Sequence, residues 1–131
     1  ISAVDVISQY RGWKKGVTDP PSNVLNKRKS FKDAIASGVS IGMGGDVGVF
    51  PHGENALEME LMVEYGLPVM DALKAATSVN ARAFHLEDRL GNLKSGYLAD
   101  VIVVEGDPSK NISDVRKVKF VMKEGVVYLS K

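Results

Sequence analysis

The sequence contains no cysteine, only two histidines and no long apolar run. The absence of cysteine excludes disulfides, thiolate nucleophiles and cysteine-ligated zinc, and it fits a reducing compartment such as the cytoplasm. No apolar stretch approaches the ~18 residues that a membrane span needs, and the chain does not open on the charged-then-apolar pattern of a signal peptide. These absences predict a cytoplasmic location and no membrane partner.

An excess of one charge is also missing, since 17 Lys and Arg stand against 16 Asp and Glu. Nucleic-acid binding depends on clustered basic charge, so we expect no nucleic-acid partner. The only basic cluster, Lys27-Arg28-Lys29, is interpreted as a solvated helix face. With 131 residues, 44% of them hydrophobic and 25% charged, the composition is that of one ordinary globular core.

The most informative stretch runs from residue 39 to residue 60. An apolar run at residues 39–43 leads into Gly44-Gly45-Asp46, and a loop containing Pro51-His52-Gly53 precedes helical periodicity from about Glu54. This order predicts a strand, a loop and a helix. Glycines beside an acidic residue at the carboxyl end of a buried strand leave the carboxylate facing the crevice where α/β proteins place their chemistry. Asp46 is therefore the first candidate site residue, and its structural alternative is a cap for the following segment.

The remaining periodicity predicts helices first and short strands afterwards. Helical spacing at residues 2–13, with Ser2 as a possible cap, is followed by a second helix at residues 24–37 that Gly38 ends. Helix, strand, loop and helix form the βαβ rhythm of a parallel sheet. Later β-branched runs predict a small β-subdomain with a hairpin turn at Lys123-Glu124-Gly125. These runs cover residues 101–104, 118–122 and 126–128.

Five motifs occur in a consistent order along the chain. They are Gly44-Gly45-Asp46, Pro51-His52-Gly53-Glu54-Asn55, Glu58, Ala72-Leu73-Lys74-Ala75-Ala76-Thr77 and Gly96-Tyr97-Leu98-Ala99-Asp100. In this order they resemble the carboxy-terminal third of a metal-dependent amidohydrolase, closest to the Xaa-Pro dipeptidase (prolidase-like) and imidazolonepropionase-related group. The resemblance covers about residues 31–128. The family usually carries threonine where this sequence has Gly45, so a hydroxyl that could orient the carboxylate is missing.

The resemblance implies an α/β fold in two parts. Residues 1–86 would form the C-terminal segment of a (β/α)8 barrel, and residues 87–131 part of an appended β-sandwich. A complete barrel needs roughly 250 residues, so we expect this chain to be a fragment whose partner is the remainder of the barrel. The implied activity is hydrolysis of amide or peptide bonds in small substrates of the Xaa-Pro dipeptide or acyl-amino-acid type, and the parent could be a homo-oligomer.

By the same resemblance, Asp46 matches the aspartate that is both metal ligand and general base, with Zn²⁺ or a similar divalent metal as cofactor. His52, held between Pro51 and Gly53, is a metal ligand, a proton shuttle, a contact for a substrate carboxylate or a structural residue, and we take it as a substrate-binding candidate. The family's other ligands are absent, since His85 is the only further histidine. Catalytic metals normally take three protein ligands, so the chain alone is expected to be inactive.

Other polar and aromatic residues are interpreted as structural. Asn55 and Glu58 suit the start of a helix through capping and the helix dipole. His85 and Trp13 are expected to pack on the core. Asp100 is expected to accept backbone N–H bonds of a turn.

Two other classes of function compete with the hydrolase. A nucleotide-binding loop would require glycine at Val47, and Asp46 would repel phosphate. A non-catalytic binding module or a degenerate amidohydrolase relative remains the alternative to the enzyme. The upstream coding sequence discriminates, because a barrel half that carries a His-x-His pair excludes the module.

Overall fold

The computed structural model describes all residues from 1 to 131 and contains two compact units, Ile1–Leu67 and Pro68–Lys131. Three helices make up the regular structure of the first unit, and short helical segments precede a three-stranded sheet in the second. None of the helices combines the length and the apolar character that a membrane crossing demands. In chain order the elements are α1 (Ser2–Tyr10), α2 (Ser22–Ala36), α3 (Ala56–Glu64), α4 (Val69–Lys74), a π-helical turn (Ala75–Val79), α5 (Asn80–Ala83), β1 (Val101–Val104), a 3₁₀ helix (Ile112–Arg116), β2 (Val118–Lys123) and β3 (Val126–Ser130).

The helix boundaries follow the local signals in the sequence. Gly38 adopts a left-handed φ of 69°, and its N–H donates to the Ile35 carbonyl over 3.0 Å, so α2 ends there as predicted. Pro68 lies directly before α4, where its missing N–H costs no intrahelical bond. The predicted second helix and its glycine stop are therefore confirmed.

The predicted strand at residues 39–43 is wrong, because this segment has no regular secondary structure. A strand is stabilised by hydrogen bonds from a neighbouring strand, and the only sheet in the structure is the antiparallel β1-β2-β3. No parallel strand pair is present, so the predicted βαβ arrangement is not formed by this chain. The (β/α)8 barrel remains what the resemblance implies.

In the first unit, α1 turns polar side chains inward. Ser2, Asp5 and Ser8 are its buried residues and recur every three positions, the spacing that lines up one helix face. Ser2 is the first residue of α1 and makes no capping bond, so its predicted capping role is wrong. Trp13 is buried, and its indole N–H donates to the Thr18 carbonyl over 3.2 Å, which confirms its packing role.

The second unit contains the predicted β-subdomain strands. The hairpin turn between β2 and β3 is confirmed, with positive φ at both Glu124 (50°) and Gly125 (80°), as in a two-residue type I′ turn. Asp100 supports this turn, because its Oδ1 accepts the Glu124 N–H over 2.8 Å. The Ala99 carbonyl accepts the Gly125 N–H over 3.2 Å. The expectation that Asp100 accepts backbone bonds of a turn is confirmed.

Replacing Asp100 by alanine in the whole protein should lower the free energy of unfolding by about 0.5–1.5 kcal/mol, the net contribution of one hydrogen bond. The turn N–H of Glu124 loses its acceptor, while kcat should stay at the wild-type value. Denaturant unfolding and a turnover assay check the two parts. A large loss of kcat with unchanged stability would contradict the structural role.

The segment after α5 shows where His85 lies and bears on the predicted domain division after residue 86. His85 does not pack on a core: α5 ends at Ala83, and His85 takes a left-handed φ of 56° with an exposed side chain. Its neighbour Phe84 is 71% exposed. The predicted domain division after residue 86 stays a prediction, although the boundary of the compact units lies earlier, between Leu67 and Pro68.

Candidate functional site

Asp46 lies in the loop between α2 and α3 with its side chain exposed. Its φ of 54° is in the left-handed region, where aspartate is tolerated better than most non-glycine residues. No N–H or hydroxyl of the chain donates to its carboxylate. The alternative role as a helix cap therefore gains no support. An exposed carboxylate with both oxygens available can accept a proton or ligate a cation.

Two hydrogen bonds hold the backbone around Asp46. The Ser2 hydroxyl donates to the Gly45 carbonyl over 3.0 Å, and the Gly48 N–H donates to the Phe50 carbonyl over 3.0 Å. Phe50 is buried, and a Cβ added at Gly45 would lie 3.7 Å from its ring. That distance is an ordinary contact, so packing does not enforce glycine where the family usually has threonine.

His52 lies in the same loop, six residues after Asp46, and its side chain is exposed. The turn around it is closed by the Glu54 N–H, which donates to the Pro51 carbonyl over 3.2 Å, and by Gly53 at a φ of 96°. No hydrogen bond joins the imidazole to the rest of the chain. The substrate-binding role of His52 stays a prediction.

Glu58 has a role that its position near a helix start did not reveal. The residue is 5% exposed, and its Oε2 accepts the Ser2 N–H over 2.7 Å. Its Oε1 accepts a hydrogen bond from the Ile1 nitrogen over 2.9 Å. Glu58 therefore links α1 to α3 besides occupying the first turn of α3. Asn55 is at the N-cap position of α3 but makes no side-chain capping bond.

The residues of this chain do not complete a metal site. The structure brings together no group of three or more histidine, cysteine, aspartate or glutamate side chains that could hold an ion. A catalytic zinc normally takes three protein ligands and keeps one open position. Asp46 has the chemistry of one such ligand, and the others would have to come from outside this chain.

A second polar cluster was missed at the sequence level. Tyr65 donates its hydroxyl to Asp5 Oδ2 over 2.5 Å, and Lys15 Nζ lies 3.7 Å from the same oxygen. Burial, together with the hydrogen bond to Asp5, raises the pKa of Tyr65 well above its usual value, so the phenol keeps the proton that it donates.

Arg28 completes this cluster from α2. Its guanidinium carbon lies 4.6 Å from the centre of the Tyr65 ring and 5.7 Å from that of Trp13, within the range of cation–π contacts. The interpretation of Lys27-Arg28-Lys29 as a solvated face is therefore wrong for Arg28, whose Nε is buried. The one signal for this cluster in the sequence was the recurrence of polar residues at every third position of α1, which includes Asp5.

Comparison with known proteins gives consistent matches. The model of the amidohydrolase family matches residues 11–128. Ochratoxinase of Aspergillus niger is 37% identical over 95 residues, which are 71% of this chain and 19% of that protein. A Xaa-Pro dipeptidase crystallised with methionine in its active site has a TM-score of 0.81 and 34% identity over 98% of this chain and 33% of its own. The crystal structure of A. niger ochratoxinase has a TM-score of 0.77 and 28% identity, covering 99% of this chain and 31% of its own.

This chain thus spans a third or less of the length of these relatives. The matched family region contains the Asp46 loop, the buried Glu58 and the three strands of the second unit.

Proposed function

The chain belongs to the amidohydrolase family, and we propose that the whole protein hydrolyses amide or peptide bonds in small substrates with Asp46 as metal ligand and general base. The observation that carries this proposal is the state of Asp46. Its carboxylate is exposed, receives no hydrogen bond from the chain, and lies on a backbone held in the left-handed region. Local structure therefore makes no use of this carboxylate.

A divalent metal such as zinc, when bound, supplies Lewis-acid polarisation of the scissile carbonyl and lowers the pKa of water. The work of this chain is the transfer of a proton. Asp46 takes the proton of the attacking water onto a carboxylate oxygen and returns it to the leaving amine nitrogen as the C–N bond breaks. The hydrogen bonds to the Gly45 and Phe50 carbonyls restrain the backbone that carries the carboxylate, which reduces the reorganisation that catalysis requires.

The proposed substrates are Xaa-Pro dipeptides or acyl-amino acids. Both kinds carry a carboxylate one residue from the scissile bond, and the exposed imidazole of His52 lies on the same loop as Asp46. A protonated imidazole pairs favourably with a carboxylate. The similarity to a Xaa-Pro dipeptidase and to ochratoxinase supports this choice of class.

Turnover of the whole protein on a panel of Xaa-Pro dipeptides, N-acyl-amino acids and dipeptides without proline tests the proposal. We expect hydrolysis of at least one of the first two groups, loss of activity after treatment with a chelator, and recovery when Zn²⁺ is added back. The isolated chain of 131 residues, assayed in parallel, should be inactive because it supplies one ligand only. A whole protein that hydrolyses no member of the panel and binds no zinc would favour the non-catalytic alternative.

A further inference from the structure

Two buried residues connect the start of α1 to the Asp46 loop. Ser2 is fully buried and Glu58 nearly so, and they are joined by the hydrogen bond from the Ser2 N–H to Glu58 Oε2. The Ser2 hydroxyl then donates to the carbonyl of Gly45, the residue directly before Asp46. A path of hydrogen bonds therefore runs from α3 through α1 to the residue directly before the candidate ligand.

Burial of the Glu58 carboxylate requires compensation, because a charge taken out of water is costly unless it is hydrogen-bonded. Its two oxygens accept hydrogen bonds from the Ser2 and Ile1 nitrogens over 2.7 and 2.9 Å. Glu58 therefore joins Ile1 and Ser2 to α3 and holds Ser2 in place through its N–H.

The hydrogen-bonded path ends beside Asp46, whose backbone has a left-handed φ of 54°. A non-glycine residue in a sparsely populated conformation is kept there only when the surrounding structure holds it. Beside the packing of Phe50, the Ser2 hydroxyl is the contact that restrains the peptide immediately before Asp46.

We propose that Ser2 and Glu58 are positioning residues for Asp46, with Glu58 holding Ser2 through its N–H and the Ser2 hydroxyl holding the peptide directly before the carboxylate residue. The inference rests on the proposed function of Asp46. It assigns the two residues no contact with substrate or metal. Removal of the Ser2 hydroxyl should therefore loosen the loop and misplace the carboxylate without changing the charge of the site.

Ser2→Ala in the whole protein tests the proposal, with Ser8→Ala as the matched control. Ser8 lies on the same buried face of α1 and is 3% exposed, and its hydroxyl accepts a hydrogen bond from Asn23 Nδ2 over 2.8 Å. Ser8 makes no hydrogen bond with the loop. Each variant thus loses one buried hydroxyl of one helix, and only Ser2→Ala loses the bond to Gly45.

Amide hydrogen exchange of residues 44–50 in the metal-free protein is the first measurement, and kcat and KM are the second. For Ser2→Ala we expect exchange in this segment to be roughly 3- to 10-fold faster, the effect of one lost hydrogen bond, and kcat to fall by a similar factor with KM within about twofold. Ser8→Ala should leave loop exchange and kcat at wild-type values. If Ser2→Ala does not fold, Glu58→Gln, which keeps the volume but loses the charge, should show the same faster exchange.

Equal loop exchange in the two serine variants, or faster exchange with unchanged kcat, overturns the positioning role. These outcomes are separate from failure of the proposed function. A wild-type protein without hydrolase activity contradicts the function of Asp46 directly. If the wild type is active and Ser2→Ala changes neither loop exchange nor kcat, only the inference about Ser2 and Glu58 is contradicted.

Discussion

Asp46→Asn in the whole protein should lower kcat by at least ~10²–10⁴-fold, the usual contribution of a general base, with the melting temperature close to that of the wild type. Asparagine keeps the size and the left-handed tolerance of aspartate but loses the charge and the basicity. Folding should survive because the side chain is exposed and makes no hydrogen bond within the chain. The measurements are kcat, bound metal and melting temperature on one purified variant.

Asp33→Asn is the matched control for this prediction. Asp33 is an exposed aspartate of α2 that pairs with Lys29 over 2.6 Å, so its replacement removes one negative charge from the same unit without touching the loop. We expect wild-type kcat in the control. Normal turnover in metal-replete Asp46→Asn, or a loss of about 1 kcal/mol of stability with activity retained as expected for a lost helix cap, would contradict the catalytic role.

Gly91→Ala should lower the free energy of unfolding by about 2–5 kcal/mol. The φ of Gly91 is 85°, and a left-handed conformation costs an L-residue about 1–2 kcal/mol. A Cβ there would lie 2.6 Å from the Cβ of Ala81 and 3.0 Å from the carbonyl oxygen of Thr77, and overpacking of this kind costs about 1–3 kcal/mol more. Denaturant unfolding of the whole protein measures the sum.

Gly96→Ala separates the two contributions. Its φ of 86° matches that of Gly91, but nothing lies within 4 Å of an added Cβ, so only the backbone cost of about 1–2 kcal/mol should appear. The difference between the two variants measures the packing of the Gly91 loop against the helical segment before it. Equal losses in both would show that this packing is absent.

Local signals predicted the helices and the hairpin because their determinants are close in sequence. Gly38 stops α2 through its own left-handed φ, and Glu124 and Gly125 form the hairpin turn through theirs. Local signals were not sufficient to predict whether residues 39–43 form a strand. This apolar run has the composition of a buried strand, but a strand forms only beside a partner, and none pairs with it in this chain.

In the candidate site too, residues with local signals were predictable from the sequence, and residues with long-range contacts were not. Asp46 was predicted as a candidate site residue from its immediate neighbours, which are the preceding glycines and the family motif. The bonds from Ser2 to Glu58 and Gly45 join residues 56 and 43 positions apart, and no local pattern reports such a contact. Serine and glutamate at helix starts have ordinary local explanations, so their burial was visible only in the structure.

The distance from the Asp46 carboxylate to a bound metal tests the central claim most directly. Crystals of the whole protein grown with Zn²⁺, with the ion located by its anomalous scattering, provide this distance. The account predicts a carboxylate oxygen of Asp46 at about 2.0–2.2 Å from the zinc, the usual Zn–O distance, with the other ligands supplied from outside this chain. A zinc ion whose complete ligand set excludes Asp46, with the carboxylate beyond hydrogen-bond reach of the ion's open position, would contradict it.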